Sequence, residues 1–507
     1  MRRALPWRAL VGVAVCAPMA AVYVSGLQRS VWTGDSAELV TAAYTLGIPH
    51  PTGYPIYVWL GRLFTLLPVG SVALRVNAMS AVFAVAALYV AFLVVEREAR
   101  RLSGSRLAGY LGGFITVMLL GHAQPFWERA QVAEVYSLSA FLMLLSIYAF
   151  FRWFDTGEVR LLSVGALVYG LGLGAHMSNV LLLPILLVVI LATARSWGPV
   201  GRVTLFVAVG LTQYAFLLAR SAHAAPYIHP HASFFSHNPL TGSENALHNW
   251  FWFVTGGQWH GEVAGSLAMA SAKAVRLVDS VLSDLGPLGI CLLGIGAAVW
   301  SYRSRPWGKA AVFSGTVICG SVYFSWYRPA SEPMVLPLYG VLAALAGIGL
   351  AGASVIISGA LGRVRIARSV SRAAVIALAL LVAGICISKP RIDYSKRNGP
   401  AMLIAGMLED LPDGSTVDGL EWKYEKIVEY YEVVQGAHAR FVSGHCDLNR
   451  IAEGTCYAIN GASDRYERMG FGLELETAIE GAPNLYQLRP PVRAVGRQGG
   501  DGSFPSP

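Results

Sequence analysis

Residues 33–55 read Thr-Gly-Asp-Ser-Ala-Glu-Leu-Val-Thr-Ala-Ala-Tyr-Thr-Leu-Gly-Ile-Pro-His-Pro-Thr-Gly-Tyr-Pro. The block follows the first hydrophobic segment of a chain that is otherwise mostly apolar. Asp35 and Glu38 are three positions apart, so a helix beginning near Ser36 turns both the same way. Gly47, Pro49, Pro51, Gly53 and Pro55 then impose a rigid irregular turn around His50. Carboxylates at a membrane boundary are costly unless they are solvated or used, which makes this block the first candidate for chemistry.

Working outward, the 507 residues are 55% hydrophobic and 14% charged. A soluble domain carries about 25% charged residues. The apolar excess falls in long runs at 9–27, 74–95, 107–121, 133–151, 161–175, 179–195, 203–219, 286–300, 310–327, 335–357 and 373–388. These predict a mainly α, polytopic membrane protein with about eleven transmembrane helices. The net charge of +9 is no nucleic-acid signal, because its position argues otherwise. Arg2, Arg3, Arg8, Arg97, Arg100, Arg101, Arg106, Arg152, Arg160, Arg195, Arg202, Arg303, Arg305, Lys309, Arg363, Arg365, Arg368 and Arg372 crowd alternate short loops. The longer loops between them hold only Arg29, Arg62, Arg129, Arg220, Lys273, Arg276 and Arg328. This bias predicts a cytoplasmic N-terminus, an outward-facing 33–55 block and, for an odd number of spans, an extracytoplasmic tail. Residues 1–26 read as an uncleaved signal anchor.

The organisation expected is a transmembrane module over 1–388 with long outward loops at 28–73 and 220–285. An extracytoplasmic α/β domain follows over 389–492, then a Gly-, Pro- and Ser-rich disordered tail over 493–507. Cys16, Cys291, Cys319 and Cys386 lie in apolar spans, where cysteine behaves as a small hydrophobe. Cys446 and Cys456 lie in the polar tail domain, and an extracytoplasmic location predicts a disulfide between them.

The candidate chemistry gathers on the outward side. Low dielectric would raise the Asp35 or Glu38 carboxyl and suit it to general-base work. The same residues also suit a plain helix start, with Asp35 or Ser36 as N-cap and Glu38 as a first-turn acid. Other outward turns hold His122, Trp127, Glu128, Arg129, Gln131, Glu134 and Tyr136, then His176, Ser178 and Asn179, then Trp326, Tyr327, Arg328 and Glu332. Arg328 suits a phosphate, since guanidinium binds phosphate oxygens in bidentate fashion, and it equally suits a snorkelling interface residue. The 220–285 loop carries His223, His229, His231, His237, His248 and His260, at a spacing that fits no zinc pattern. No cofactor is certain from these residues, and a divalent ion is compatible with them without being indicated. The Trp250–Phe253 run suits the lipid interface.

Several segments together resemble a known family: Gly34-Asp35-Ser36-x-Glu38-Leu39, Leu46-Gly47-Ile48-Pro49-His50-Pro51-x-Gly53-Tyr54-Pro55, Leu60-Gly61-Arg62-Leu63-Phe64, Leu67-Pro68 and Arg75-x-Asn77. Glu134-Val135-Tyr136 and Gly172-x-Gly174-x-His176 resemble its later motifs. The family consists of bacterial polytopic membrane proteins related to a eukaryotic secretory-pathway protein O-mannosyltransferase, within the GT-C glycosyltransferases. Ala37 and Thr52 stand where that family often has Gly and Pro. The resemblance implies a GT-C bundle and a polyprenyl-phosphate sugar donor, with mannose the leading sugar. It implies transfer to a protein or glycan hydroxyl with inversion. Asp35 takes the position of the family's catalytic base, with Glu38 beside it. His50, Tyr54, Arg62, Glu134, Tyr136, His176, Asn179 and Arg328 are the expected substrate-binding residues. Two rival readings are a transporter or flippase for a lipid-linked saccharide and a non-catalytic envelope assembly protein. The transporter would need polar groups along a path through the membrane.

Overall fold

The computed structural model describes residues 7–490 except 195–196, 224–225, 239, 264, 304–306, 361–364, 438–440, 444, 470 and 480–481. The tail from Arg493, and Arg2, Arg3, Arg195, Arg305 and Arg363 of the basic loops, lie outside the described residues. The chain forms two compact units: Met1–Leu27 with Ala42–Gly70 and Arg75–Asp393, and Gln28–Thr41 with Ser71–Leu74 and Tyr394–Pro507.

The helices, in chain order, begin with α1 (Trp7–Ser25), α2 (Ser36–Thr45), α3 (Pro55–Thr65), α4 (Val72–Ser103), α5 (Arg106–Gly121), α6 (Gln124–Arg129), α7 (Tyr136–Thr156) and α8 (Val159–Leu173). They continue with α9 (Leu183–Ala194), α10 (Gly198–Leu211), α11 (Ala215–Ala222), α12 (Ala246–Val254), α13 (Leu267–Arg303), α14 (Trp307–Trp326), α15 (Leu336–Ala360) and α16 (Arg365–Ser388). Among the described residues, seven helical stretches are long and apolar enough to cross a membrane: Trp7–Ser25, Val72–Ser103, Tyr136–Thr156, Gly198–Ala222, Leu267–Trp300, Glu332–Ser358 and Ser369–Ser388. Arg106–Gly121, Val159–Leu173 and Met177–Thr193 are apolar but shorter. Each of the eleven expected segments is helical. The smaller number of full spans reflects length, since crossing the hydrocarbon takes about 20 residues. The protein is a multi-pass membrane protein.

Local signals explain many boundaries. Ser105 caps α5, its hydroxyl accepting the Ala108 amide at 3.3 Å. Gly157 ends α7 at φ 70°, the left-handed conformation favoured past a helix C-terminus. Inside the bundle, small residues let backbones approach. A Cβ on Gly210 of α10 would lie 2.7 Å from the carbonyl carbon of Gly170 in α8. The core runs through Phe150 and Phe151, Tyr169, Val189, Trp300, Phe313 and Ile348.

At the C-terminal ends of α4 and α7 the bundle holds a buried ionic network. Lys309, expected in an inward loop, is 1% exposed and donates to Glu98 at 2.6 Å, with Asp155 at 2.7 Å. Arg97 reaches Asp155 at 2.9 Å, and Arg8 and Arg100 approach Glu96 at 3.4 and 3.5 Å. Arg101 also pairs with Asp155. Each charge there is paired, as burial requires.

The second unit carries α17 (Gly399–Asp410), β1 (Ser415–Asp418), α18 (Trp422–Gln435), β2 (Phe441–Ser443), α19 (Leu448–Ala452), β3 (Cys456–Ile459), α20 (Asn460–Arg468), β4 (Gly472–Thr477) and β5 (Leu485–Arg489). The sheet order is β2-β1-β3-β5-β4, parallel across β2, β1 and β3 and antiparallel across β3, β5 and β4. Cys446 and Cys456 are bridged, with Cα atoms 5.8 Å apart.

Candidate active site

Asp35 and Glu38 belong to the second unit. Gly34 takes φ +78°, which costs glycine little, and turns the chain into α2. Asp35 precedes that helix, its carbonyl accepting the Leu39 amide at 2.8 Å. Ser36 Oγ accepts the Trp32 amide at 3.2 Å. Asp35 is half-buried, and Glu38 in the first turn is fully buried. Their segment is tied to its own unit: Gln28 Nε2 donates to the Arg397 carbonyl at 2.5 Å, and Trp32 meets Tyr394 edge-on with centroids 5.6 Å apart. The backbone thus has the helix-start geometry, and Asp35 keeps partial access to solvent.

In the first unit, three motifs that are distant in sequence converge. The turn before α3 has a cis Pro51–Thr52 bond and holds Tyr54 at φ 41°, ψ 52°. Gly53 takes φ +85°, a left-handed conformation that favours glycine, and a Cβ there would lie 2.7 Å from Leu217 Cδ1. Tyr54 is buried, and its Oη meets His50 Nε2 at 2.9 Å. The Tyr54 ring stacks on His176 at 6.3 Å and 20°, and the Tyr136 ring packs against His176 at 5.2 Å and 41°. Trp259, from the 220–285 loop, meets His50 edge-on at 6.2 Å. Arg129 lies 5.8 Å over the Tyr136 ring and donates to Glu134 at 2.8 Å.

His176 Nδ1 accepts the Ser178 amide at 3.2 Å and lies 2.7 Å from Ser178 Oγ. That bonding assigns the proton to Nε2. Burial, and then the nearby His50, push His176 down to about 4, so it is neutral at pH 7. It is therefore a neutral donor in an aromatic and imidazole wall. Tyr57, buried beside Glu134, has a hydroxyl with no hydrogen-bond partner among the described residues, and burial first and Glu134 second push it upward.

The remaining expected residues have other positions. Arg62 donates to the Tyr44 carbonyl at 2.6 Å and lies 5.7 Å over the Tyr44 ring. Asn179 is buried, donating to the Gly172 carbonyl at 2.8 Å and to Ser139 at 2.9 Å, which ties α8 to α7. Arg328 is half-exposed and lies 3.6 Å from Glu262, while its carbonyl accepts from Lys273 at 3.0 Å. His229 and His231 rings are 4.8 Å apart, and His231 meets Gln258 at 3.1 Å. No group of three or more His, Cys, Asp or Glu is placed to hold a metal among the described residues. Asn77, part of the block's motif, accepts the Ala133 amide at 2.7 Å and so positions Glu134. Trp259 carries no local sequence signal for its place beside His50.

Residues 35–198 match the model of the TMEM260 N-terminal domain, described as that of a protein O-mannosyl-transferase. The mouse protein O-mannosyl-transferase TMEM260 is 31% identical over 377 residues, 68% of this chain and 50% of the mouse protein. The chain belongs to the TMEM260 family. The Dictyostelium discoideum TMEM260 protein is 28% identical over 134 residues, 25% of this chain and 15% of that protein. The chain thus spans half or less of the length of these TMEM260 relatives. ArnT from Cupriavidus metallidurans, solved bound to undecaprenyl phosphate, superposes with a TM-score of 0.57 over 94% of this chain and 97% of ArnT, at 13% identity. This chain and ArnT share a fold. The block that opens the TMEM260 match contains Asp35, Glu38, His50 and Tyr54, and the same match takes in Tyr136 and His176.

Proposed function

We propose that this chain is a membrane glycosyltransferase that moves a mannose-type hexose from a polyprenyl-phosphate donor to an extracytoplasmic hydroxyl, with inversion. The observation that carries the reading is the convergence of His50 and Tyr54 with Tyr136 and His176 in one wall. Kinship to proteins named protein O-mannosyl-transferases supplies the reaction class. ArnT's undecaprenyl phosphate supplies the donor's lipid chemistry. The alternation of basic loops supports a cytoplasmic N-terminus and an outward-facing block.

In this reaction Asp35 accepts the proton of the acceptor hydroxyl, with Glu38 adjoining it. The oxygen bonds to the anomeric carbon as the carbon–phosphate oxygen bond breaks, and polyprenyl phosphate leaves with the electron pair. The phosphate needs charge stabilisation more than protonation, which an arginine such as Arg328 supplies. One essential carboxylate then suffices, unlike a glycosidase that expels a sugar alkoxide. The acceptor is a protein or glycan hydroxyl. Asp35→Asn abolishes transfer from polyprenyl-phosphate mannose while the protein still reaches the membrane. Wild-type turnover by that variant, measured with radiolabelled donor, would sink the assignment of Asp35.

A further inference from the structure

The second unit has an open cavity of its own, of ≈ 480 Å³, lined by the ends of β1 and β2 and by α20. Its volume falls in the range of small-molecule sites, about 300–1,000 Å³. Asp418 is the last residue of β1, Ser443 is the last of β2, and Arg465 lies on α20, which follows β3. β1 runs between β2 and β3 and parallel to both, so the cavity stands at the carboxyl ends of parallel strands. The chain leaves β1 toward β2 at one edge and leaves β3 toward β4 at the other. Neighbouring strands whose connections run apart leave a crevice at their carboxyl ends, where open α/β sheets bind ligands.

Asp418 is 3% exposed and anchors the cluster. Its Oδ2 accepts the Tyr466 hydroxyl at 2.6 Å and His445 Nδ1 at 3.1 Å, and pairs with Arg465 Nη2. A carboxylate only accepts, so His445 carries its proton on Nδ1 and Nε2 of the neutral ring is an acceptor. The Cys446 amide donates to Tyr466 Oη at 3.1 Å, and the bridge to Cys456 holds the same segment. The residues either side of the anchor remain accessible: the His445 side chain is 81% exposed and that of Arg465 43%. Nη2 is the nitrogen that Arg465 commits to hydrogen bonds among the described residues. Its guanidinium lies 5.1 Å over the Tyr466 ring, so the fork is fixed in place with donors left for a ligand.

The buried carboxylate is therefore already engaged, and what the cavity offers is a guanidinium, an imidazole acceptor and the exposed Ser443 hydroxyl. A lone metal ion would face Arg465, and no metal-ligand group occurs among the described residues. A guanidinium fork selects a phosphate or carboxylate, while imidazole and serine suit hydroxyl groups. We infer that this cavity binds a small sugar bearing an oxyanion, a phosphate or a carboxylate. Arg465 holds the oxyanion, and His445 and Ser443 hold hydroxyls of the ring. The inference stands on the second unit alone and does not depend on the glycosyltransferase reading.

The test uses the full chain in nanodiscs of zwitterionic lipid, with Kd measured by saturation-transfer NMR titration. Mannose 6-phosphate and glucuronate are the probes, and methyl α-mannoside is the uncharged control. Binding of mannose 6-phosphate alone assigns a phosphate, binding of glucuronate alone assigns a carboxylate, and binding of neither overturns the inference. The control should bind at least fivefold more weakly than the better probe, and tighter binding than that overturns the oxyanion. Arg465→Lys keeps a cation beside Asp418 and removes the fork. It should raise the Kd of the better probe about fivefold or more, and any smaller change overturns the inference. Where Arg465→Lys fails to fold, Ser443→Ala combined with His445→Ala, both at exposed positions, is held to the same threshold.

Discussion

Tyr54 and His176 show how a single side chain sets chemistry in this wall. Tyr54 Oη is 2.9 Å from His50, and its ring covers His176. Tyr54→Phe keeps the ring contact and removes only the hydroxyl. A neutral hydrogen bond is worth about 1 kcal/mol, so transfer falls about fivefold while the fold is retained. A loss of more than a hundredfold in kcat would mean that Tyr54 touches the reacting atoms. His176 makes a separate prediction. Its native value of about 4 lies below its ordinary 6.5, so the unfolded chain binds more protons between them. The associated stability is fully present above pH 6.5 and is lost as pH falls toward 4, by up to ~3 kcal/mol. Thermal unfolding in detergent across this window measures it. His176→Phe should flatten that slope, and an unchanged slope would assign the acid sensitivity to other groups.

At the scale of elements, the bundle depends on charges and bridges that no single helix satisfies. Lys309 on α14 compensates Glu98 on α4 and Asp155 on α7. Lys309→Met leaves the Glu98 carboxylate buried with, among the described residues, only Arg101 paired to it, at 3.6 Å. The cost is ~3–5 kcal/mol, read as a lower melting temperature in detergent. Pairing Lys309→Met with Glu98→Gln should recover part of the loss. In the second unit the Cys446–Cys456 bridge joins the loop after β2 to β3. Its loop is short, so removing it costs ~2–3 kcal/mol. Replacing both cysteines with serine should increase protease cleavage around 446–456 while the membrane helices stay protected.

Across the whole molecule, the alternation of Arg-rich and Arg-poor loops implies a cytoplasmic N-terminus. A membrane-impermeant protease added to right-side-out vesicles should therefore cut the C-terminal domain and spare the 97–106 loop. The opposite pattern would invert the proposed topology. Much of the fold was legible in sequence, because a membrane helix is a local property of about 20 apolar residues. The eleven apolar runs and the irregular turn around His50 needed no partner to be read. Legibility stopped where partners come from elsewhere in the chain. Lys309 looked like a loop charge because its acids lie on other helices. Trp259 had no local signal for its place.

By itself the sequence determined a multi-pass helical chain, a Gly- and Pro-bounded turn holding His50 and Tyr54, and two cysteines in a polar C-terminal region. Periodicity, turn chemistry and apolar run length act over a few residues, so they survive without tertiary context. Only the tertiary structure decided that Tyr54, Tyr136 and His176 share one wall, and that Gln28–Thr41 packs as part of the second unit. It also decided that Asp284 keeps one carboxylate oxygen buried without a hydrogen-bond partner among the described residues. Those outcomes depend on how separate helices pack, and a linear pattern does not encode which polar ends meet.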